Sequence, residues 1–155
     1  MKFKKILIIF IFIFLGLSEV FAGERKKQLD KLFIELKTDD QFLTFEVEQK
    51  IWKIWSTHPK KNELTLMLSE GSTLVKDDKL NEAVNIFTKV IELDPSWAEA
   101  WNKRATVLYL LGEFQKSQND IDKVLELEER HFGALAGQGL VNIHLKNYDK
   151  AIMSY

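Results

Sequence analysis

Two consecutive stretches of this chain, Leu64–Trp97 and Ala98–His131, align over 34 residues each without a gap. A period of that length fits two helices and their turns. It also constrains the fold more than any local propensity, because tandem units bury the same side against each neighbour. A third copy starts at Phe132 and reaches its twenty-fourth place at Tyr155, in mid-helix, an ending expected of a longer array. Bulky and small places recur inside the copies. The fourth place holds Met67, Trp101 and Leu135, and the eighth holds Gly71, Ala105 and Gly139. The twentieth holds Ala83, Ser117 and Ala151, and the twenty-fourth holds Phe87, Ile121 and Tyr155. Small residues at the eighth and twentieth places let two antiparallel helices approach closely, with the bulky places filling beside them.

This period and pattern resemble the tetratricopeptide repeat. Pro95 stands at the thirty-second place, where that family carries proline, while Glu129 replaces it in the second copy. The seventh place departs further, with Glu70, Arg104 and Gln138 where leucine is usual. The resemblance implies an all-α solenoid of antiparallel helix pairs over residues 61–155, with copies at 64–97, 98–131 and an incomplete 132–155. Gly112 falls at a turn that needs a left-handed residue, a place that Asp78 and Lys146 take less comfortably in the other copies. Ser96 and Glu99 have the spacing of a capping box. Trp101 is expected inside the helix pair, and Trp97 over the joint between copies.

Ahead of the repeats the register is lost. Residues 1–22 open with Lys2, Lys4 and Lys5, run apolar from Ile6 to Leu17, and end with Val20 and Ala22 at the small-residue places of a cleavage site. That is the grammar of a secretory signal peptide, with an apolar run well short of the roughly 20 residues of a membrane span. No cysteine follows it to mark a lipoprotein. Residues 23–60 then read as a helical hairpin capping the first repeat. Leu29, Leu32, Phe33 and Leu36 share one helical face, Asp39 and Asp40 supply a break, and Val47, Ile51 and Trp55 share another face beside Trp52.

Composition narrows the function. The chain has no cysteine, which removes disulfides, thiolate metal sites and a cysteine nucleophile, and places the exported protein in a bacterial periplasm. Loss of Lys2, Lys4, Lys5 and Glu19 takes the formal charge from −1 to −3. No long basic run remains for nucleic acid, and the membrane is met only during export. His58, His131 and His144 show no metal-ligand spacing, and "GALAGQG" lacks the strand and the Lys-Ser/Thr of a phosphate loop. No catalytic residue, metal or cofactor is expected, and the chain reads as a non-enzyme.

In the family it resembles, the first helix of each repeat lines a concave groove. Carried onto this chain, the lining is Leu68, Ser72, Val75 and Lys76 from the first copy, then Asn102, Lys103, Thr106, Tyr109 and Leu110 from the second. The third gives Ala136, Gly137, Leu140, Ile143 and His144. The carboxylate-clamp pattern of chaperone receptors is approached only at Lys103. A neutral, partly apolar groove suits a segment of another protein, with Tyr109 as the best anchor. The alternative is a structural spacer in an envelope assembly, its groove filled by the protein itself. The oligomeric state stays open.

Overall fold

The computed structural model describes residues 23–154. Residues 1–22, where a signal peptide is expected, and Tyr155 at the twenty-fourth place of the third copy lie outside the described residues. Among the described residues there are eight helices and no strand, and no helix is long and apolar enough to cross a membrane. They fall into two compact units, one ending at Pro59 and one beginning at Lys60.

The first unit is a helical hairpin of α1 (23–35) and α2 (Gln41–Ser56). The Asp40 side chain caps α2, its Oδ1 accepting from the Phe42 and Leu43 amides at 2.9 and 3.2 Å. Leu29 and Leu32 of α1 and Val47, Ile51 and Trp55 of α2 are buried, and the Phe33 and Trp55 rings lie 6.1 Å apart. Arg25 fixes the antiparallel sense. From the start of α1 its guanidinium donates to the Ile54 and Thr57 carbonyls at the end of α2, where Ile54 also accepts from the Thr57 amide at 3.3 Å.

The second unit holds α3 (Asn62–Lys76), α4 (Leu80–Leu93), α5 (Ala98–Leu110), α6 (Phe114–Leu127), α7 (Phe132–His144) and α8 (Tyr148–Met153). Each copy is a helix pair, α3/α4, α5/α6 and α7/α8, and α5 touches both α3 and α7, so the three first helices share one face. The pairing follows from spacing. In α4 the buried residues are Ala83, Phe87, Val90 and Ile91, and in α6 Ser117, Ile121 and Val124 fall on the same stripe. Gly71 is needed where it stands, because a Cβ there would lie 2.5 Å from the Phe87 ring. In the second pair Ser117 Oγ donates to the Ala105 carbonyl at 2.8 Å, so the two small places meet backbone against side chain.

All three turns close the same way. The Lys79, Glu113 and Asn147 amides reach back to the Leu74, Leu108 and Asn142 carbonyls at 2.8, 2.9 and 2.8 Å. Inside those loops Asp78, Gly112 and Lys146 adopt φ of 59°, 77° and 61°. This is the double-bonded helix end that requires a left-handed residue.

Two expectations are corrected. The capping box does not form: Ser96 Oγ donates to Asp94 Oδ1 at 2.6 Å, and α5 starts after Trp97 without a side-chain cap. Glu99 is instead buried against the far end of its own copy. Trp101 is half-buried at the joint of the first two copies, packed on both core clusters, rather than enclosed within one helix pair. Its Nε1 donates to the Pro95 carbonyl at 2.9 Å and the Arg104 guanidinium lies over its ring at 5.0 Å, so its bonding is structural. Trp97 does cover the joint, 5% exposed in the first core cluster.

Candidate functional site

Between α5 and α7 the second unit opens into a cleft of about 210 Å³. Its walls explain its existence. The twenty-fourth place of the second copy is Ile121 where the first copy has the larger Phe87, and α7 presents Gly133, Ala136 and Gly137 toward it. A Cβ on Gly137 would meet Ile121 Cδ1 at 3.4 Å, an ordinary contact, so these small residues leave space rather than permit a clash-free crossing. Ala105, Leu140 and Val141 complete the apolar lining, and Asn102, Thr106, Tyr109 and Ser117 add polar groups.

The cleft gathers Asn102, Thr106, Tyr109, Ala136, Gly137 and Leu140 from the expected groove, so residues 34 places apart in the chain face one space. Leu110, Leu140 and Ile143, at 53%, 45% and 49% exposure, leave large apolar side chains in solvent on these two helices. Other expected positions are placed differently. Leu68, 3% exposed, belongs to the core of the first copy and is not available to a partner. Val75 is half-buried against the same core, and Ser72 bonds the Leu68 carbonyl at 2.9 Å. Lys76 is exposed in the last turn of α3. Tyr109 lines the cleft with its ring, but its hydroxyl is engaged by His144 Nε2 at 3.1 Å, and Phe114 stacks on His144 at 4.3 Å. Its value as an anchor is its ring alone.

Beneath Asn102 lies a polar group that the repeat pattern did not reveal. Glu99 and His131, the second and thirty-fourth places of one copy, have fully buried side chains with Glu99 Oε2 and His131 Nε2 3.0 Å apart. The Ala134 amide donates to His131 Nδ1 at 3.2 Å, so Nδ1 carries the lone pair and Nε2 the proton given to Glu99. Asn102 Nδ2 donates to the same Glu99 oxygen at 3.0 Å, and Lys103 Nζ sits 3.1 Å from the other. Burial pushes the Glu99 carboxyl up, but the His131 hydrogen bond and the Lys103 charge outweigh it, leaving the group below the ordinary carboxylate range. A carboxylate–imidazole pair sealed from solvent has no substrate to reach. It ties the start of α5 to the start of α7 and so sets the width of the cleft. The sequence signal for it, a glutamate and a histidine at the two ends of one copy, becomes visible only when the ends are known to meet.

Among the described residues no group of three histidine, cysteine, aspartate or glutamate side chains is placed to hold a metal ion.

The family model of the tetratricopeptide repeat matches residues 65–96 and 98–131. A TPR repeat-containing protein of Rhizobium etli is 32% identical over 121 residues, 77% of this chain and 59% of that protein. Hsp70-Hsp90 organizing protein 1 of Glycine max is 31% identical over 86 residues, 56% of this chain and 15% of that protein. The chain thus spans less than two thirds of either relative. Among solved structures, the first TPR of Spaghetti (RPAP3), bound to the HSP90 peptide SRMEEVD, superposes with a TM-score of 0.58 at 22% identity, covering 59% of this chain and 73% of that one. That likeness is one of fold.

Proposed function

From a chain that belongs to the tetratricopeptide-repeat family, and whose fold is that of a protein–protein interaction module, we infer that the α5–α7 cleft is where a segment of a partner protein is held. The observation that carries this reading is an open cleft of about 210 Å³ beside the exposed Leu110, Leu140 and Ile143. A pocket of that size is below the several hundred Å³ typical of cofactor sites and suits one inserted side chain. Apolar side chains left in solvent around it give such a segment surface to bury. The protein acts by binding, without catalysis: its buried carboxylate–imidazole pair is spent on the fold. We place it in the periplasm, on the grammar of residues 1–22 and the absence of cysteine. The matching relative in Rhizobium etli supports a bacterial setting.

Photocrosslinking in cells tests this. A crosslinker at Leu140 or Ala136, with Lys116 on α6 as the control, is expected to trap a partner of defined mass from the cleft positions alone, in the periplasmic fraction. Equal products from Lys116, or crosslinks only within the chain, would favour the spacer reading instead.

A further inference from the structure

The cleft has a chemical preference, and it follows from how Asn102 is held. Asn102 is 7% exposed, yet it lines the cleft. Its amide is not free to turn, because the Glu99 carboxylate accepts only from the nitrogen side, at 3.0 Å. Glu99 is locked in its turn by His131 and Lys103. The amide oxygen is therefore fixed away from Glu99, and among the described residues nothing donates to it. The oxygen is not among the sealed polar atoms that lack a partner, so it is open to solvent in the cleft, where a bound N–H can take the place of water.

The surroundings decide what can bring that N–H. Ile121, Ala136, Gly137 and Leu140 wall the cleft with apolar groups, which penalise a charged side chain by its desolvation. A carboxylate would also face the Asn102 oxygen with the ionised Glu99 behind it. Lys103, the residue that would welcome an acid, is already paired to Glu99. We propose, resting on the groove reading above, that the occupant is an uncharged, extended stretch of polypeptide that donates one main-chain N–H to Asn102 Oδ1 and seats an aliphatic side chain between α5 and α7. Such a ligand is unlike the acidic peptide SRMEEVD bound by the solved neighbour.

The test uses the full chain and capped tripeptides, followed by heteronuclear amide NMR. N-acetyl-Gly-Leu-Gly-amide is expected to shift the Gly137 and Leu140 amides and the Asn102 side-chain amide saturably. It should bind about tenfold tighter than the same peptide with glutamate in the centre or with a free C-terminal acid. Methylating the peptide nitrogens one at a time should weaken binding about tenfold at one position, the one that donates to Asn102. Equal or tighter binding of the acidic peptides, or indifference to every methylation, overturns this inference while leaving the groove in use. Absence of any shift at the cleft from all of the peptides overturns the inference and the groove reading together.

Discussion

The first and second copies follow one template and solve its central joint in opposite ways. In the first, Gly71 admits Phe87 and the thirty-fourth place is Trp97, all buried in a continuous apolar cluster with Leu64, Leu68 and Val90. In the second, the corresponding residues are Ala105, Ile121 and His131; the first two still join an apolar cluster with Val124, Ala134 and Val141, and polar pairings are added beside it. Glu99 meets His131, and Arg104 makes a two-pronged contact of 2.8 Å with each Asp120 oxygen and a 3.1 Å bond to Thr88. One joint is filled, and the other is positioned by directional bonds with space left beside it. Hydrophobic filling maximises stability but leaves nothing to bind with, whereas a bonded frame holds a cleft open at fixed width. The difference between the copies is thus a division of labour along the array.

The largest effect that this comparison predicts is at the filled joint. Phe87→Ala removes a fully buried ring facing a glycine that cannot fill the gap, and should cost about 3–5 kcal/mol in urea unfolding. Peptide binding at the α5–α7 cleft should persist in the fraction that stays folded. A loss well under that range would mean that the first joint is not the stability centre.

The bonded joint should answer to pH. Glu99→Gln keeps the shape but loses the anion that accepts from His131 and Asn102 and faces the Lys103 charge, at a cost of about 2 kcal/mol near neutrality. The folded Glu99 carboxyl lies below its ordinary 4.5, so its contribution is complete above that value and is lost as pH falls through the folded one. The stability gap between wild type and Glu99→Gln, measured by urea titration from about pH 7 to about pH 3, should therefore narrow only below the ordinary value. A gap independent of pH would show that the anion is not what holds this joint.

Exchanging the joints sharpens the comparison further. Ala105→Gly with Ile121→Phe installs the Gly71–Phe87 pair in the second copy. Stability should move by no more than about 1 kcal/mol, since volume gained at one place is matched by room made at the other. The cleft should close, and binding of the neutral tripeptide should fall below detection. Retained binding would separate the cleft from Ile121.

What the sequence revealed divides along the same line. The 34-residue period, the small eighth and twentieth places and the left-handed turns are local or periodic, and they were legible. So was the membership of Asn102, Thr106, Tyr109, Ala136, Gly137 and Leu140 in one groove, through the family's register. The bonded frame was not. Ser96 took the nearer acceptor, Asp94, and Glu99 was drawn to a histidine 32 residues on, against a capping pattern that uses only local spacing. Arg104, a departure from the leucine usual at its place, proved to be matched by Asp120 and Thr88, each 16 residues away. Leu68 sits at a groove position of the register yet turned inward, because a helical face is set by packing more finely than by place number.

The smallest effect is at the turns, where all three copies use the same hydrogen bonds and differ in one residue. Gly112 takes φ of 77° without penalty, while Asp78 and Lys146 take 59° and 61° with a Cβ in the way. Relief of that strain is partly offset, because glycine also has more unfolded freedom to lose. Lys146→Gly should therefore stabilise the third copy by somewhat less than about 1 kcal/mol, and Asp78→Gly by less again, since a short polar side chain tolerates the left-handed region. Gly112→Ala should destabilise by about 1 kcal/mol. Because these turns lie outside the joints, none of the three changes should alter tripeptide affinity at the cleft. If Lys146→Gly tightens or weakens binding, the end of α7 is moving with its turn, and the width of the cleft is set there rather than by Glu99 and His131.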